Sequence, residues 1–225
     1  MSGPAPVRGF PTLGIPHDHD MAAFTDAAFT RRRVKRGECL YRAGEAFDSI
    51  YALVSGFFKT SVGLEDGRGQ VIGFHMGGEL VGMDGIGTER YTADLIALED
   101  SEVCIIPYWR LEEAGMQREL HRAMSRELVR DQGLMMLLGT MRAEERLAAF
   151  LLNLSQRFVA RGFSPREFHL RMTREEIGSY IGLSLETVSR LFSRFHDDGL
   201  IAVQQKHIRI LDVAGLADVR AHAKD

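Results

Sequence analysis

The sequence contains too few cysteines for a disulfide-stabilised fold and too few consecutive apolar residues for a membrane span. Among its 225 residues only Cys39 and Cys104 are cysteines, whereas small secreted domains held by disulfides are dense in them. No stretch approaches the roughly 20 apolar residues that cross a bilayer, and residues 1–20 lack the apolar core of a signal peptide. We therefore expect a cytoplasmic protein with reduced thiols and no membrane association.

Excess positive charge and enzyme motifs are also missing. Lys and Arg number 28 against 31 Asp and Glu, which gives a formal net charge of −3 at pH 7. A chain of this charge does not coat nucleic acid, so any DNA binding has to come from a local face. We find no nucleophile elbow, P-loop, zinc-protease helix or catalytic acid pair. These absences predict a protein that is not an enzyme.

The segments of the sequence differ in residue composition and in the spacing of their apolar residues, and together they predict an α+β protein. Residues 1–20 are rich in Pro, Gly and polar side chains, as in a flexible arm. Residues 21–108 begin with a short predicted helix at 21–31 and then alternate β-branched runs with glycines, which indicates a β-barrel or jelly roll. Residues 109–142 are predicted to form a long dimerisation helix, and residues 143–225 a helical domain that ends in a hairpin.

The long helix carries apolar side chains at spacings of three and four, which form a seam for another helix. A helix of about 30 residues reaches ~45 Å at 1.5 Å per residue, and a barrel of this size does not cover that length. We therefore favour a homodimer over packing against the chain's own barrel. The predicted seam consists of Leu120, Met124, Leu128, Asp131, Met135 and Leu138.

Asp131 falls on or beside this seam. A solvated edge residue is one interpretation. In a parallel two-fold dimer, however, Asp131 faces its own copy, and like charges that are close and partly buried repel each other. The second interpretation predicts a weakened dimer whose assembly responds to a trigger.

The pattern of a helix-turn-helix occurs in MTREEIGSYIGLSLETVSRLFSRFHDDGLI. Thr173 followed by Glu176 is a capping box that opens one helix, and Gly178 leaves room for a close neighbour. Gly182 can adopt the left-handed conformation of a tight turn, and Ser184 caps the next helix. An ordinary helical hairpin is the alternative, but it does not account for both glycines and both caps. Helices are predicted at 143–160, 173–181 and 184–195, and strands at 201–204 and 207–211.

The outward face of the second of these helices carries side chains that read base edges. Near its N-terminus, residues at i, i+1, i+4 and i+5 face away from the core, where a recognition helix meets the major groove. Arg190 can pair with guanine through two hydrogen bonds, and Glu186 can accept from cytosine or hold Arg190 in place. We predict base contacts by Leu185, Glu186, Ser189 and Arg190, and phosphate contacts by Thr173, Arg174, Thr187 and Arg194.

Several segments resemble the Crp/Fnr superfamily of bacterial regulators, and its Fnr branch in particular. The resemblance runs from about residue 34 to residue 211. It implies a cyclic-nucleotide-binding-type β jelly roll, a long dimerisation helix and a C-terminal winged helix-turn-helix, in a homodimeric transcription regulator with double-stranded DNA and RNA polymerase as partners. The segments that carry it are GECLYRAGE (37–45), YALVSGFFK (51–59), GFHMGGELVGMDGIG (73–87), CIIP (104–107), AEERLAAFLLNLSQRF (143–158), RGFSPREF (161–168) and LETVSR (185–190).

The resemblance also indicates which DNA is read. The Crp branch has an arginine at the position of Leu185, and leucine removes that donor. Glu186, Ser189 and Arg190 match the Fnr branch, which implies a TTGAT-type inverted repeat whose half-sites fit a two-fold dimer. In the family, loops at the positions of 64–69 and 161–168 serve transcription activation.

Departures from the family pattern concern the cofactors. Oxygen-sensing Fnr proteins bind an iron–sulfur cluster through three N-terminal cysteines and one in the barrel. Cys104 matches the barrel cysteine, but the N-terminal arm has none, so we expect no cluster. The Crp pocket uses a glutamate and an Arg-Ser pair, where this chain has Met83 and then Arg90 followed by Tyr91, so we expect no cyclic AMP.

These departures make the chain similar to the cluster-free, FixK-like members, and we expect it to bind no cofactor. The alternative is a haem-, redox- or nucleotide-responsive regulator whose DNA binding requires a ligand. A polar pocket lined by Arg90 and Glu79 favours that alternative, and a filled apolar barrel disfavours it. Cys104 is either a redox switch or a buried, inert thiol, and the polar residues 17–20 are expected to belong to a flexible arm and not to a metal site.

Overall fold

The computed structural model describes residues 29–64, 69–113 and 115–219. The chain divides into an N-terminal β-rich unit and a C-terminal helical unit, with the boundary between Arg126 and Glu127 inside one helix. The predicted arm lies outside the described residues, as does most of the helix predicted at 21–31. The end of that helix is wrong, because Thr30–Val34 is a strand. None of the described helices is long and apolar enough to pass through a bilayer.

Within residues 29–64 and 69–113, the N-terminal unit contains eight strands in two four-stranded antiparallel sheets, which confirms the predicted barrel or jelly roll. The strand orders are β1-β8-β3-β6 and β2-β7-β4-β5. A short helix follows the last strand. The elements are β1 Thr30–Val34, β2 Cys39–Tyr41, β3 Ser49–Ser55, β4 Phe57–Gly63, β5 Gly69–Met76, β6 Leu80–Val81, β7 Asp94–Ala97, β8 Ser101–Pro107 and α1 Tyr108–Glu113.

Strand β3 is buried on both faces, and the alternation of its side chains separates two cores. Tyr51 and Leu53 point into the barrel interior, where they pack with other apolar side chains of the two sheets. Ile50 and Ala52 point to the other side and join the second core, which also contains Cys104 and side chains from the helices that follow β8. The barrel is therefore covered on one side by helix, as its apolar outer face requires.

The predicted single helix at 109–142 is wrong, because the chain turns at Gly115, where φ is 66°. Helix α2 spans only Gln117–Thr140, 24 residues, or ~36 Å at 1.5 Å per residue. Its first turns pack against the barrel, and Leu120 is only 6% exposed within the second core. Leu120 is thus not available to a second copy and does not belong to the seam.

The C-terminal unit is a winged helix-turn-helix. Its predicted helices and its hairpin are confirmed to within two residues at each end, whereas a third strand and a last short helix were not predicted. The sheet order is β10-β11-β9. The elements after α2 are α3 Ala143–Val159, β9 Glu167–His169, α4 Arg174–Ile181, α5 Leu185–Asp197, β10 Ile201–Gln204, β11 His207–Ile210 and α6 Val213–Ala217.

Candidate nucleic-acid interface

Both helices of the helix-turn-helix begin at side-chain caps. The Thr173 hydroxyl accepts from the Glu176 N–H at 3.1 Å, and the Glu176 carboxylate accepts from the Thr173 N–H at 2.6 Å. The Ser184 hydroxyl accepts from the Thr187 N–H at 3.2 Å. Because these bonds satisfy N–H groups that have no partner within the helix, the two caps fix where α4 and α5 begin.

The turn between the helices depends on two glycines. Gly182 has φ 68° and ψ 42°, the left-handed conformation that glycine adopts without steric cost. A Cβ added at Gly178 would lie 2.5 Å from the carbonyl oxygen of Leu183. The Leu183 N–H donates to the Gly178 carbonyl at 2.8 Å, so the two backbones meet at this point.

Helix α5 has a buried face and an open face. Val188, Leu191, Phe192 and Phe195 are at most 4% exposed and form the packed side. The predicted base-reading residues lie together near the N-terminus of the other side: Leu185, Glu186 and Arg190 are exposed, and Ser189 is half-buried. The structure therefore brings these four side chains to one accessible surface, and their base contacts stay predictions.

The side chain of Arg190 is exposed on this surface and is available to bind a ligand. No residue in the part of the chain that the structure describes forms an ion pair or hydrogen bond with its side chain. Among the described residues of the DNA-free protein, Glu186 forms no ion pair or hydrogen bond with Arg190, and a role of Glu186 in holding Arg190 at the DNA stays a prediction. Hydrogen bonds from its own backbone N–H and from the Ser184 hydroxyl lower the pKa of Glu186, so its carboxylate is ionised at neutral pH and can only accept.

The predicted phosphate contacts are partly engaged within the protein. The Arg174 guanidinium lies 5.1 Å from the centre of the Phe192 ring. Arg194 pairs with Glu144 of α3 at 3.1 Å and lies 3.6 Å from Asp198. From residue 166 to residue 210 there are seven Lys and Arg against six Asp and Glu. A positive face therefore depends on which cations point outward and not on an excess of charge.

A stripe of large apolar side chains is exposed along α2. Met124, Leu128 and Met135 of the predicted seam are 39%, 58% and 63% exposed, and the stripe also includes Val129 and Met136, at 47% and 54%, which the prediction missed. Contiguous exposed apolar surface of this kind marks an interaction site. Leu138 is half-buried against the small core of Leu137, Met141 and Ala149, and Asp131 is exposed beside the stripe.

The core between the two sheets of the barrel contains a stack of aromatic rings. The rings of Tyr41 and Tyr91 stack with their centres 4.0 Å apart, and Tyr51 stacks on Tyr41 at 5.5 Å. The Tyr91 hydroxyl donates to the Ser49 carbonyl at 2.7 Å. Together with the other apolar side chains of this core, these rings pack the space between the two sheets.

The polar residues around this stack are not arranged for an anion. The Arg90 guanidinium donates to the Gly44 carbonyl at 2.7 Å in an exposed position. Glu79 is buried beside His75, with 3.6 Å between Oε2 and Nδ1, whereas Arg90 is exposed. Met83 begins a 3₁₀ turn and offers no charge to a ribose. The residues present therefore do not fit a cyclic nucleotide.

Cys104 does not have the surroundings of a reactive thiol. Its side chain is fully buried in the second core, and this burial raises the pKa of the thiol. The thiolate is the reactive form, so the inert-thiol interpretation is favoured over the redox switch. Cys39 is the only other cysteine, and two cysteines do not supply the four ligands that an iron–sulfur cluster takes.

Arg146 is a residue of this unit that the sequence analysis missed. It lies in the first turn of α3 and donates to backbone carbonyls at the ends of two other helices. A signal was present in the sequence, because a cation in the first turn opposes the helix dipole. An arginine placed there has to serve something other than its own helix.

Comparisons with known proteins match both units. A family described as a cyclic nucleotide-binding domain matches residues 31–118, and a Crp-like helix-turn-helix domain matches residues 145–219. The chain is 46% identical to the transcriptional activator protein FnrA of Stutzerimonas stutzeri, over 92% of this chain and 86% of FnrA. It is 41% identical to the fumarate and nitrate reduction regulatory protein of Escherichia coli K12, over 93% of this chain and 86% of that protein. The structure of FixK2 from Bradyrhizobium japonicum superposes with a TM-score of 0.78 at 29% identity, covering 87% of this chain and 99% of FixK2.

Proposed function

The chain belongs to the Crp/Fnr family of transcription regulators, and from this membership we propose that it is a homodimeric activator of the Fnr type that binds a TTGAT-N4-ATCAA-like inverted repeat. The observation that carries the proposal is the open face of α5, where Leu185, Glu186 and Arg190 are exposed together and Arg190 has no partner among the described residues. Arg190 reads guanine and Glu186 reads cytosine in the major groove. The relatives named above are transcription regulators, not enzymes.

A homodimer is supported by the exposed stripe on α2. Met124, Leu128 and Met135 recur at four and seven residues on one side of the helix, the spacing with which helices pair. A two-fold dimer places its two reading helices about one turn of DNA apart, which matches an inverted repeat with half-sites at that spacing.

RNA polymerase is the second proposed partner. Phe163, in the segment 161–168, is 61% exposed and contacts Phe158 edge to face at 6.0 Å between ring centres. An exposed aromatic ring is typical of a protein–protein contact. The other predicted surface, the loop at 64–69, lies mostly outside the described residues.

The test of the proposed function is a gel shift with purified protein in air, using a TTGAT-N4-ATCAA duplex and a scrambled duplex of the same length. We expect the specific duplex to bind at least ~10³-fold more tightly at physiological salt, as for specific regulators in general. Equal affinity for the two duplexes contradicts the assignment of the half-site.

The same assay tests a second part of the proposal, that DNA binding requires no small ligand. This part is supported by the stacked tyrosines and by the buried Cys104 thiol. We expect colourless protein to bind at full affinity in air, with or without cyclic AMP. Binding that appears only after anaerobic reconstitution with iron and sulfide, or only with added haem or nucleotide, contradicts it.

Replacing Asp131 by alanine is expected to strengthen the proposed dimer. Two carboxylates that face each other at about 4 Å in water repel by about 1 kcal/mol, which corresponds to about a fivefold change in the dimer dissociation constant. Sedimentation equilibrium of the wild type and of Asp131→Ala measures the change directly.

Asp131→Glu is the matched control, because it keeps the charge at the same position. We expect it to dimerise no better than the wild type. Salt supplies a second check: raising NaCl from about 0.05 M to about 0.5 M screens exposed charges and is expected to strengthen the wild-type dimer more than the Asp131→Ala dimer. A weaker or unchanged dimer in Asp131→Ala contradicts the placement of Asp131 at the seam.

A further inference from the structure

Arg146 connects the C-terminus of α2 to the C-terminus of α4, the first helix of the helix-turn-helix. Its Nη2 donates to the carbonyl of Leu138 at 2.7 Å and its Nε to the carbonyl of Met141 at 2.9 Å, both at the C-terminus of α2. Its Nη1 lies 3.3 Å from the carbonyl of Ile181 and 3.4 Å from that of Gly182, at the C-terminus of α4. One guanidinium thus contacts two helix ends that are far apart in the sequence.

The chemistry of these acceptors explains why the contact is an arginine. The last carbonyls of a helix lack partners within it and carry the negative end of its dipole. A guanidinium is always charged and donates in several fixed directions, so it can serve two helix ends at once. No carboxylate among the described residues pairs with Arg146, so its charge is directed entirely at these carbonyls.

The turn of the helix-turn-helix is held close to α2 by this contact. A Cβ added at Gly182 would lie 3.1 Å from Arg146 Nη1 and 3.2 Å from Leu138 Cδ2. The neighbouring residue Glu144 reaches the second helix of the motif through its ion pair with Arg194 at 3.1 Å. The first turn of α3 therefore contacts α2, α4 and α5.

We propose that Arg146 is a positioning residue that sets the spacing between half-sites which the dimer accepts. The inference rests on the proposed function. In a two-fold dimer, the distance between the two copies of α5 depends on the angle between each helix-turn-helix and α2, the proposed dimer helix. Arg146 fixes that angle from the protein side, and it determines specificity for spacing without reading a base.

The experiment compares the wild type, Arg146→Met and Arg146→Lys on duplexes with TTGAT half-sites separated by three, four, five or six base pairs, and on scrambled half-sites with the four-base-pair spacer. Loss of hydrogen bonds from a charged group is expected to weaken binding of Arg146→Met to the N4 duplex about tenfold. The preference of Arg146→Met for the N4 spacer over N3 and N5 is expected to shrink by at least about fivefold, because the helix-turn-helix is no longer held at one angle to α2. Its preference for TTGAT over scrambled half-sites is expected to remain.

Direct contact of Arg146 with a DNA phosphate is the alternative, and two readouts separate it from positioning. A lost phosphate contact lowers the slope of log affinity against log salt by about 1, whereas a lost positioning contact leaves the slope unchanged. Lysine restores a phosphate contact, but its compact ammonium cannot bridge two helix ends. We expect Arg146→Lys to retain the salt slope and still lose the spacer preference.

Arg166→Met is the matched control, because Arg166 is an exposed arginine of the same unit. It removes the same charge and is expected to keep the wild-type preference for N4. Circular dichroism and sedimentation establish that each variant is folded and dimeric, and Arg146→Lys decides the test if Arg146→Met does not fold.

The outcomes separate this inference from the proposed function. If both Arg146 variants keep the wild-type spacer preference, the positioning role is overturned. It is also overturned if Arg146→Lys fully restores the spacer preference, or if Arg146→Met has a lower slope of log affinity against log salt than the wild type. A wild-type protein that does not distinguish TTGAT from scrambled half-sites overturns the proposed function, and the inference with it. Relaxed spacing with retained half-site preference supports both.

Discussion

Arg190→Ala is expected to lower the preference of the protein for TTGAT half-sites over scrambled DNA by about 1–3 kcal/mol, or about 5- to 150-fold. The reason is geometric: the Arg190 side chain is exposed on the open face of α5 and has no partner among the described residues. Its planar guanidinium matches the two acceptors of guanine in the major groove. Gel shifts with both duplexes over a range of protein concentrations measure the ratio of affinities.

The sharper version of this test is a double-mutant cycle between protein and DNA. Changing the half-site guanine to adenine is expected to weaken the wild type by about 1–3 kcal/mol and to leave Arg190→Ala almost unaffected, because the contact is already absent. Arg190→Lys keeps the charge and is expected to retain non-specific affinity while losing part of the discrimination. Arg166→Ala controls for the loss of one positive charge. Equal sensitivity of Arg190→Ala and the wild type to the guanine change contradicts the assignment.

The helix-turn-helix is predictable from sequence because its signals are local. The capping box of Thr173 and Glu176, the turn at Gly182 and the cap at Ser184 each lie within a few residues of the backbone groups they satisfy. The barrel is predictable for a similar reason, since short β-branched runs separated by glycines have few other solutions.

The environment of α2 is not predictable in the same way. Helical periodicity shows which side chains share a face, but not whether that face meets the chain's own barrel or a second copy. Leu120 and Leu128 both fit the repeat, yet Leu120 is 6% exposed and Leu128 is 58% exposed. The difference arises because the first turns of α2 follow Gly115 and pack on the barrel, a contact set by the tertiary fold.

Two further features cannot be predicted from a local sequence pattern. They are the contacts of Arg146 and the stack of Tyr41, Tyr51 and Tyr91. Both join segments that are tens of residues apart in the chain. For Arg146 the sequence supplies only an anomaly, a cation at the wrong end of a helix. For the tyrosines it supplies no anomaly, because aromatic residues in strands are common, and the filled interior follows only from the structure.

The second large effect is expected at Gly178, where alanine should destabilise the C-terminal unit by about 3 kcal/mol, the upper end of the range for overpacked sites. An added Cβ would lie 2.5 Å from the Leu183 carbonyl oxygen, a distance that requires one group to move. The obstacle is backbone, and the Leu183 N–H already bonds to the Gly178 carbonyl at 2.8 Å, so neither group can move without opening the turn. Urea denaturation followed by the helical circular dichroism signal measures the loss.

The matched control is Gly63→Ala, which adds the same methyl group where nothing lies within 4 Å and is expected to change the stability by less than about 0.5 kcal/mol. DNA binding gives the functional consequence. Because α5 is held against α4 through this turn, Gly178→Ala is expected to lose specific binding even at temperatures where the protein remains largely folded, since the reading residues no longer share one fixed surface. Wild-type affinity and an unchanged urea midpoint in Gly178→Ala would mean that the turn tolerates a side chain, and that the close packing of α4 on α5 is not what holds the reading helix in place.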